Sequence, residues 1–262
     1  MCTVLLLSRP GDRWPLLVGA NRDERLDRPF QSPDRHWPEQ PDVVGGRDVT
    51  AGGSWFALND AGVVATIVNG MNRLGPLPGT SSRGALVLRA LRERDAASAA
   101  HAIGALDARD YRGFTLIVAD RERAFAVSSD ERALRVDALA PGHHLVTPDG
   151  CDVPDSPRFA AHFGAFRTAA PPEPEHDDWS SWIDLLRHAD DDDPHRAMTV
   201  VTADRFGTVC STLLGLDADA ATPPRMLFAA GPPTQAPYES VTTPWVRGAA
   251  VERERGSCRF GA

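Results

Sequence analysis

Short apolar runs cut by Gly, Pro, Asn or Asp dominate the first half of the chain, and runs of that length read as strands rather than helices. Val4 to Leu7 ends at Ser8-Arg9-Pro10-Gly11-Asp12, and Leu16 to Ala20 returns, which predicts a hairpin. That hairpin carries Asn21, Arg22, Asp23 and Glu24 back toward Cys2. Trp55 to Leu58 and Val63 to Val68 flank Asn59-Asp60-Ala61-Gly62 and predict a second hairpin. Both of its strands are apolar at nearly every position, the pattern of a sheet covered on both faces. Phe114 to Ala119 and Arg123 to Val127 give a third, with Leu134 to Leu139 and His143 to Thr147 extending the same sheet. Thr199 to Thr202, Thr208 to Leu216 and Met226 to Ala229 supply late strands.

Helical spacing appears in blocks between these runs. The hydroxyls of Thr80-Ser81-Ser82-Arg83 are candidate caps for a helix carrying Leu86, Val87 and Leu91. Asp95 is placed to cap a second helix along Ala99, Ile103 and Leu106. Trp179, Trp182, Ile183 and Leu186 fall at i, i+3, i+4 and i+7 and predict a third, with Asp177 or Asp178 near its start. Pro29 to Pro41 reads as a surface loop, either a lid or a packed-down cover. Asp190 to Asp193 lacks calcium-loop spacing and reads as a solvated linker. The tail, Glu252 to Ala262, has no periodicity. Hairpins interrupted by blocks of helices predict an α+β layered fold, with residues 1–262 as a single domain.

Charge and cysteine usage narrow the function classes. A net charge of -8 argues against a general nucleic-acid binder. The chain has no lysine, which removes a Walker A lysine, a Schiff-base lysine and a lysine general base from consideration. Cys2, Cys151, Cys210 and Cys258 show no C-x-x-C spacing and no histidine at metal-ligand spacing, so neither a zinc site nor haem attachment is expected. The apolar N-terminal run is short and breaks at Arg9-Pro10, and no stretch reaches membrane-span length. A cytoplasmic protein with a small-molecule ligand, no cofactor, no metal, no nucleic-acid partner and no membrane span is the expectation.

The candidate chemistry sits at the first hairpin. Removal of Met1 before a small residue exposes Cys2 as the mature N-terminus, giving one residue both a thiol and an α-amine able to act as its base. Asn21-Arg22-Asp23-Glu24 beside it is either the rest of a site or a solvated turn. Gly45-Gly46-Arg47-Asp48 and Gly52-Gly53-Ser54-Trp55 read as tight turns with close backbone approach, Arg47 being a possible anion contact. Asn69, at the end of a strand, is a turn former or an oxyanion donor. His143 and His144 are read as structural.

These motifs resemble the NRDE family, the transport-and-Golgi-organisation proteins, named for the tetrapeptide at Asn21 to Glu24. The resemblance extends through Met1-Cys2-Thr3, Arg28-Pro29, both glycine motifs, Asn69 and Ser82-Arg83-Gly84, and thins beyond about residue 130, where Ser211-Thr212 is its best mark. The family in turn resembles the N-terminal-nucleophile hydrolases of the bile-salt hydrolase and penicillin acylase type. Gly19, Asn21 and Asp23 match their G-x-N-x-D pattern, and Asn59, Gly62 and Asn69 match their second hairpin. The resemblance implies a four-layer αββα sandwich in which Cys2 attacks a carbonyl, Asp23 orients its amine and Asn69 binds the oxyanion. Asn21, Arg22, Glu24, Arg47, Trp55 and Arg83 are then the candidate substrate contacts.

The chain departs from that pattern at Ala20, where the hydrolases carry arginine, at Pro148, where they carry a second asparagine, and at Val209, where the family carries arginine. Loss of one oxyanion donor costs on the order of 3 kcal/mol of transition-state stabilisation. The reading is an N-terminal-cysteine hydrolase or acyltransferase acting on a non-peptide amide or acyl thioester. The alternative is a non-catalytic trafficking protein for haem or a similar apolar ligand, because eukaryotic members of the resembled family are linked to haem mobilisation.

Overall fold

The computed structural model describes residues 2–242 and Trp245, apart from positions 72, 74, 76, 191, 201, 203 and 204. In chain order its elements begin with β1 (Thr3–Ser8), β2 (Leu16–Arg25), β3 (Phe30–Asp34), β4 (Val43–Asp48), β5 (Phe56–Asn59), β6 (Val64–Asn69), α1 (Gly84–Ala90) and α2 (Ala96–Gly104). They continue with β7 (Phe114–Ala119), β8 (Ala124–Ser129), β9 (Leu134–Leu139), β10 (Gly142–Thr147), β11 (Gly150–Cys151), α3 (Pro157–Thr168), α4 (Ser180–Arg187), β12 (Phe206–Leu216), β13 (Arg225–Ala229) and β14 (Glu239–Ser240). The strands make two seven-stranded antiparallel sheets, β11-β10-β1-β2-β12-β13-β14 and β3-β4-β5-β6-β7-β8-β9.

Why Val4–Leu7 of β1 and Leu16–Val18 of β2 are apolar at every position follows from what covers each face. Val4, Leu6, Leu16 and Val18 join Val44, Phe56 and Leu58 of the second sheet in one buried cluster. Leu5, Leu7 and Leu17 face the other way, onto Phe166 of α3 and Trp182 and Leu186 of α4. The second sheet repeats the pattern, with Ala57, Ala65 and Leu116 packed against Leu86, Val87 and Ile103 of α1 and α2. No described helix is long and apolar enough to cross a membrane.

Several expectations change. Residues 30–34 are not loop but an edge strand paired to β4, with a register irregularity that spans Pro33; proline is tolerated at edges and bulges because it donates nothing to the ladder. Residues 143–147 do not extend the β7–β8–β9 sheet: after Leu139 the chain crosses over, and β10 pairs with β1. Thr199–Thr202 forms no strand among the described residues, and Val200 instead exchanges bonds with Thr208. No hydroxyl caps α1, whose N-cap position is Arg83. Asp95 does cap α2, accepting from the Ser98 amide at 2.8 Å. The Glu252–Ala262 tail, Cys258 and Met1 lie outside the described residues.

Candidate active site

Cys2 stands just before β1 in a cleft of about 70 Å³ lined also by Arg22, Asp23, Glu24, Arg28, Asp48, Ser54, Trp55, Asn69, Ser82 and Arg83. Strand register builds it. Thr3 pairs with Asn21, so Cys2 begins opposite the Arg22–Asp23 end of β2. The Cys2 thiol lies 3.7 Å from the Asp23 carbonyl oxygen, to which it donates. Burial pushes that thiol up, and the resting group is S–H, not thiolate.

Asp23 is 1% exposed, and its side chain is turned toward α3. Its Oδ1 accepts from the Thr208 hydroxyl at 2.6 Å. Thr208 owes that aim to a bulge, since the β2–β12 register shifts between Thr208 and Cys210. Arg158, near the start of α3, lies 3.7 Å from Asp23 Oδ2 and donates to the Thr3 hydroxyl at 2.6 Å. Oδ2 itself is buried and accepts no hydrogen bond among the described residues. Burial raises the Asp23 carboxyl above its usual range, with the Arg158 charge and the Thr208 bond pulling against it.

Arg22 points the opposite way, into the space between the sheets, as neighbours on a strand must. Its Nη2 donates to Asp48 Oδ2 at 3.0 Å, and its Cζ sits 4.4 Å from the centre of the Trp55 ring. Nη1 is buried with no acceptor among the described residues. Arg28 donates to the same Asp48 oxygen at 2.7 Å, and Glu24 lies 3.6 Å from Arg28 and 3.9 Å from Arg22. Burial pushes Asp48 up, but the bonds from Arg28 and the Ala51 amide, with the Arg22 charge, leave it below the usual carboxylate range.

Arg83 closes the far side. It donates to the carbonyls of Gly113 (3.0 Å) and Gly75 (3.3 Å), has no carboxylate at ion-pair distance among the described residues, and burial lowers it to about 10. The glycine motifs allow this crowding. A Cβ on Gly53 would strike the Gly84 backbone beside Arg83, and one on Gly46 would strike the Trp55 ring. Asn69 is the last residue of β6 and reaches the cleft with its side chain half-buried.

The structure thus gathers Cys2, Arg22, Asp23, Glu24, Trp55, Asn69 and Arg83 at one cleft, and leaves two candidates outside it. Asn21 does not line the cleft; its amide donates to the carbonyls of Leu186 and Met198, both at 2.9 Å, and pins β2 to the α4 region. Arg47 faces away from Asp48, toward Gln31 on the edge strand. Ala20 carries no guanidinium, and Arg22 occupies the same inner face two residues on. Sequence reasoning missed Arg158 and Thr208 as site residues. The Ser156-Pro157 pair, a helix-start signal, marks the element carrying Arg158.

Among the described residues, no histidine lines the cleft, and Cys2 is its one soft metal donor. Among the described residues, His144, Cys151 and Asp152 are close enough to share a metal ion, on the β10–β11 hairpin rather than here.

Comparison with solved structures finds a Caenorhabditis elegans N-acylethanolamine-hydrolyzing acid amidase ortholog at 14% identity, covering 84% of this chain and 95% of that one, with a TM-score of 0.50. Two variants of the conjugated bile acid hydrolase from Clostridium perfringens, one with a cysteine changed to alanine and one with an arginine changed to leucine, match at 9% and 10% identity. They cover 94% and 91% of this chain and 98% and 92% of theirs, with TM-scores of 0.48 and 0.49. At such identity the amidase match speaks for the fold alone. No curated protein sequence matches significantly. The family model for Transport and Golgi organisation 2 matches residues 1–222, and the chain belongs to that TANGO2 family.

Proposed function

We propose that this chain is an N-terminal-cysteine hydrolase or acyltransferase acting on a non-peptide amide or acyl thioester, built as one αββα domain. The observation that carries the reading is Asp23 Oδ2, a buried carboxylate oxygen with no hydrogen bond among the described residues, next to Cys2 just before β1. A buried acceptor of that kind is costly unless a donor meets it. The α-ammonium of Cys2, once Met1 is removed, is the donor this position suits.

In the proposed reaction the Cys2 amine takes the Sγ proton, which burial otherwise holds on sulfur. Sγ attacks the acyl carbon, and the oxyanion that forms is met by Asn69. The ammonium then returns its proton to the departing amine or thiol as the C–N or C–S bond breaks, leaving an acyl thioester on Cys2. Water, or an acceptor amine or thiol, attacks that thioester, with the α-amine again taking and returning the proton. Asp23 holds the amine, while Thr208 and Arg158 hold Asp23.

Pockets for drug-sized ligands span roughly 300–1,000 Å³. A cleft of about 70 Å³ accommodates the reacting group, with the rest of the substrate outside it. The same volume, and a lining without histidine among the described residues, offer a haem carrier little. A panel of acyl amides and acyl thioesters tests the proposal: wild type turns over at least one slowly, and Cys2→Ala abolishes that turnover while the fold survives. Saturable haem binding that persists in Cys2→Ala, with no turnover on the panel, overturns it in favour of the carrier.

A further inference from the structure

Away from the cleft, three metal-ligating side chains meet on the β10–β11 hairpin. Ligand atoms of His144, Cys151 and Asp152 all lie within 4.8 Å of one another. Their linear spacing hides the group. Cys151 pairs across the hairpin with Val146, and Asp152 follows it directly. Consecutive residues in extended chain point to opposite sides, yet here both side chains converge. Asp152 has φ of 53°, in the left-handed region that a non-glycine residue seldom occupies, and this brings its carboxylate round to the Cys151 thiol.

The orientation of His144 is an independent observation. Its Nε2 lies 2.7 Å from the Ala140 carbonyl oxygen, which only accepts, so Nε2 carries a proton. The neutral ring then presents a lone pair at Nδ1, and Asp152 Oδ2 lies 2.6 Å away. Two acceptors at that distance repel unless a cation lies between them. A proton does this in the imidazolium form; a metal ion can take its place. A backbone carbonyl on the far nitrogen is how metal-binding histidines are commonly oriented. The Leu145 amide donates to Asp152 Oδ1 at 2.9 Å, which leaves Oδ2 for the cation.

We propose that His144, Cys151 and Asp152 form a site for one divalent metal ion of the zinc type, held by an imidazole nitrogen, a thiolate sulfur and a carboxylate oxygen. Thiolate and imidazole ligands select zinc-like ions over magnesium or calcium. Binding releases two protons, one shared between Nδ1 and Oδ2 and one from the Cys151 sulfur. The thiolate and carboxylate then neutralise the two charges of the ion. Bond lengths of about 2.0–2.3 Å require Nδ1 and Oδ2 to part by roughly 0.7 Å at tetrahedral angles, and water takes the fourth position. The site joins the crossover at Ala140 to a hairpin whose Pro148 carbonyl accepts from the Met71 amide at 3.0 Å, two residues after Asn69. An ion there staples one sheet edge and steadies the loop beside the proposed oxyanion donor.

The test is titration of chelator-stripped full-length protein with zinc by calorimetry, and with cobalt(II) by absorption spectroscopy. Expected are one equivalent of zinc, tighter binding as pH rises, and a thiolate-to-cobalt charge-transfer band. His144→Gln, Cys151→Ser and the near-isosteric Asp152→Asn should each weaken binding on the order of 100-fold or more, with circular dichroism confirming that each folds. Cys2→Ala should keep the full equivalent. Absence of stoichiometric binding, or of the charge-transfer band, overturns the proposal. So does binding that survives in Cys151→Ser and is lost in Cys2→Ala.

Discussion

Arg22 and Asp23 are neighbours on one strand, yet they anchor two different buried networks. Arg22 faces the second sheet and meets Asp48, Arg28, Glu24 and Trp55, all within the first third of the chain. Asp23 faces α3 and meets Thr208 and Arg158, which come from far along the sequence. The inner network shares charge among several groups and opens on the cleft. The outer one is small and buried, and among the described residues it is short of one donor. The contrast teaches that the catalytic geometry proposed for Cys2 is set from behind, by groups that touch no substrate, while the residues of the inner network are free to recognise one.

The largest effect on stability should come from the outer network. Arg158 is 1% exposed, and Arg158→Met leaves Asp23 as a buried charge without its cation. Breaking such a pair costs about 3–5 kcal/mol, to be read from denaturant midpoints. If Arg158→Met unfolds no more readily than wild type, the outer network is not what holds β1 and β2 to α3. Next is Asn69→Ala, which should lower kcat by roughly 100- to 1,000-fold on any substrate found and change stability little. An unchanged kcat would remove Asn69 from the reaction.

Thr208→Val should cost about 1.5–3 kcal/mol, because the lost hydroxyl bonds a buried carboxylate. Its pH dependence has a definite sign. Asp23 is already raised above its unfolded value, so the folded state holds that proton more tightly, and stability falls as pH rises from the unfolded pKa through the folded one. The Thr208 bond pulls the carboxyl down, so removing it extends this fall to higher pH, which chemical denaturation across a pH series will show. The smallest effect is predicted for Arg47→Ala: within about 0.5 kcal/mol in stability and no change in turnover, since Arg47 faces away from the cleft. A large rise in KM there would mean that substrate extends over the edge strand.

How much of this was legible in the sequence divides along the same line. The inner network lies in motifs close along the chain, and strand alternation after Cys2 and Asn21 predicts which residues approach. Glycine density at 45–46 and 52–53 pointed to close backbone approach, and the Gly53–Gly84 and Gly46–Trp55 contacts are that approach. The outer network was not legible. Arg158 sits on a helix whose mixed surface, with Arg158, His162 and Phe166 buried, shows little amphipathic pattern. Thr208 reaches Asp23 through a bulge that no local pattern announces. Asn21 misled because a conspicuous motif residue was spent on tying β2 to the backbone near α4. Residues 143–147 were assigned to the wrong sheet because strand patterning gives no sign of a crossover.

The central claim is that Cys2, as the N-terminal residue, carries the acyl group. Its most direct test is peptide mass spectrometry of protein quenched during turnover of an acyl amide or thioester. The account predicts an N-terminal peptide that begins at Cys2, without Met1, with the acyl mass on the Cys2 sulfur. An N-terminal peptide that retains Met1, or one with no acyl mass on Cys2 while turnover proceeds, contradicts it.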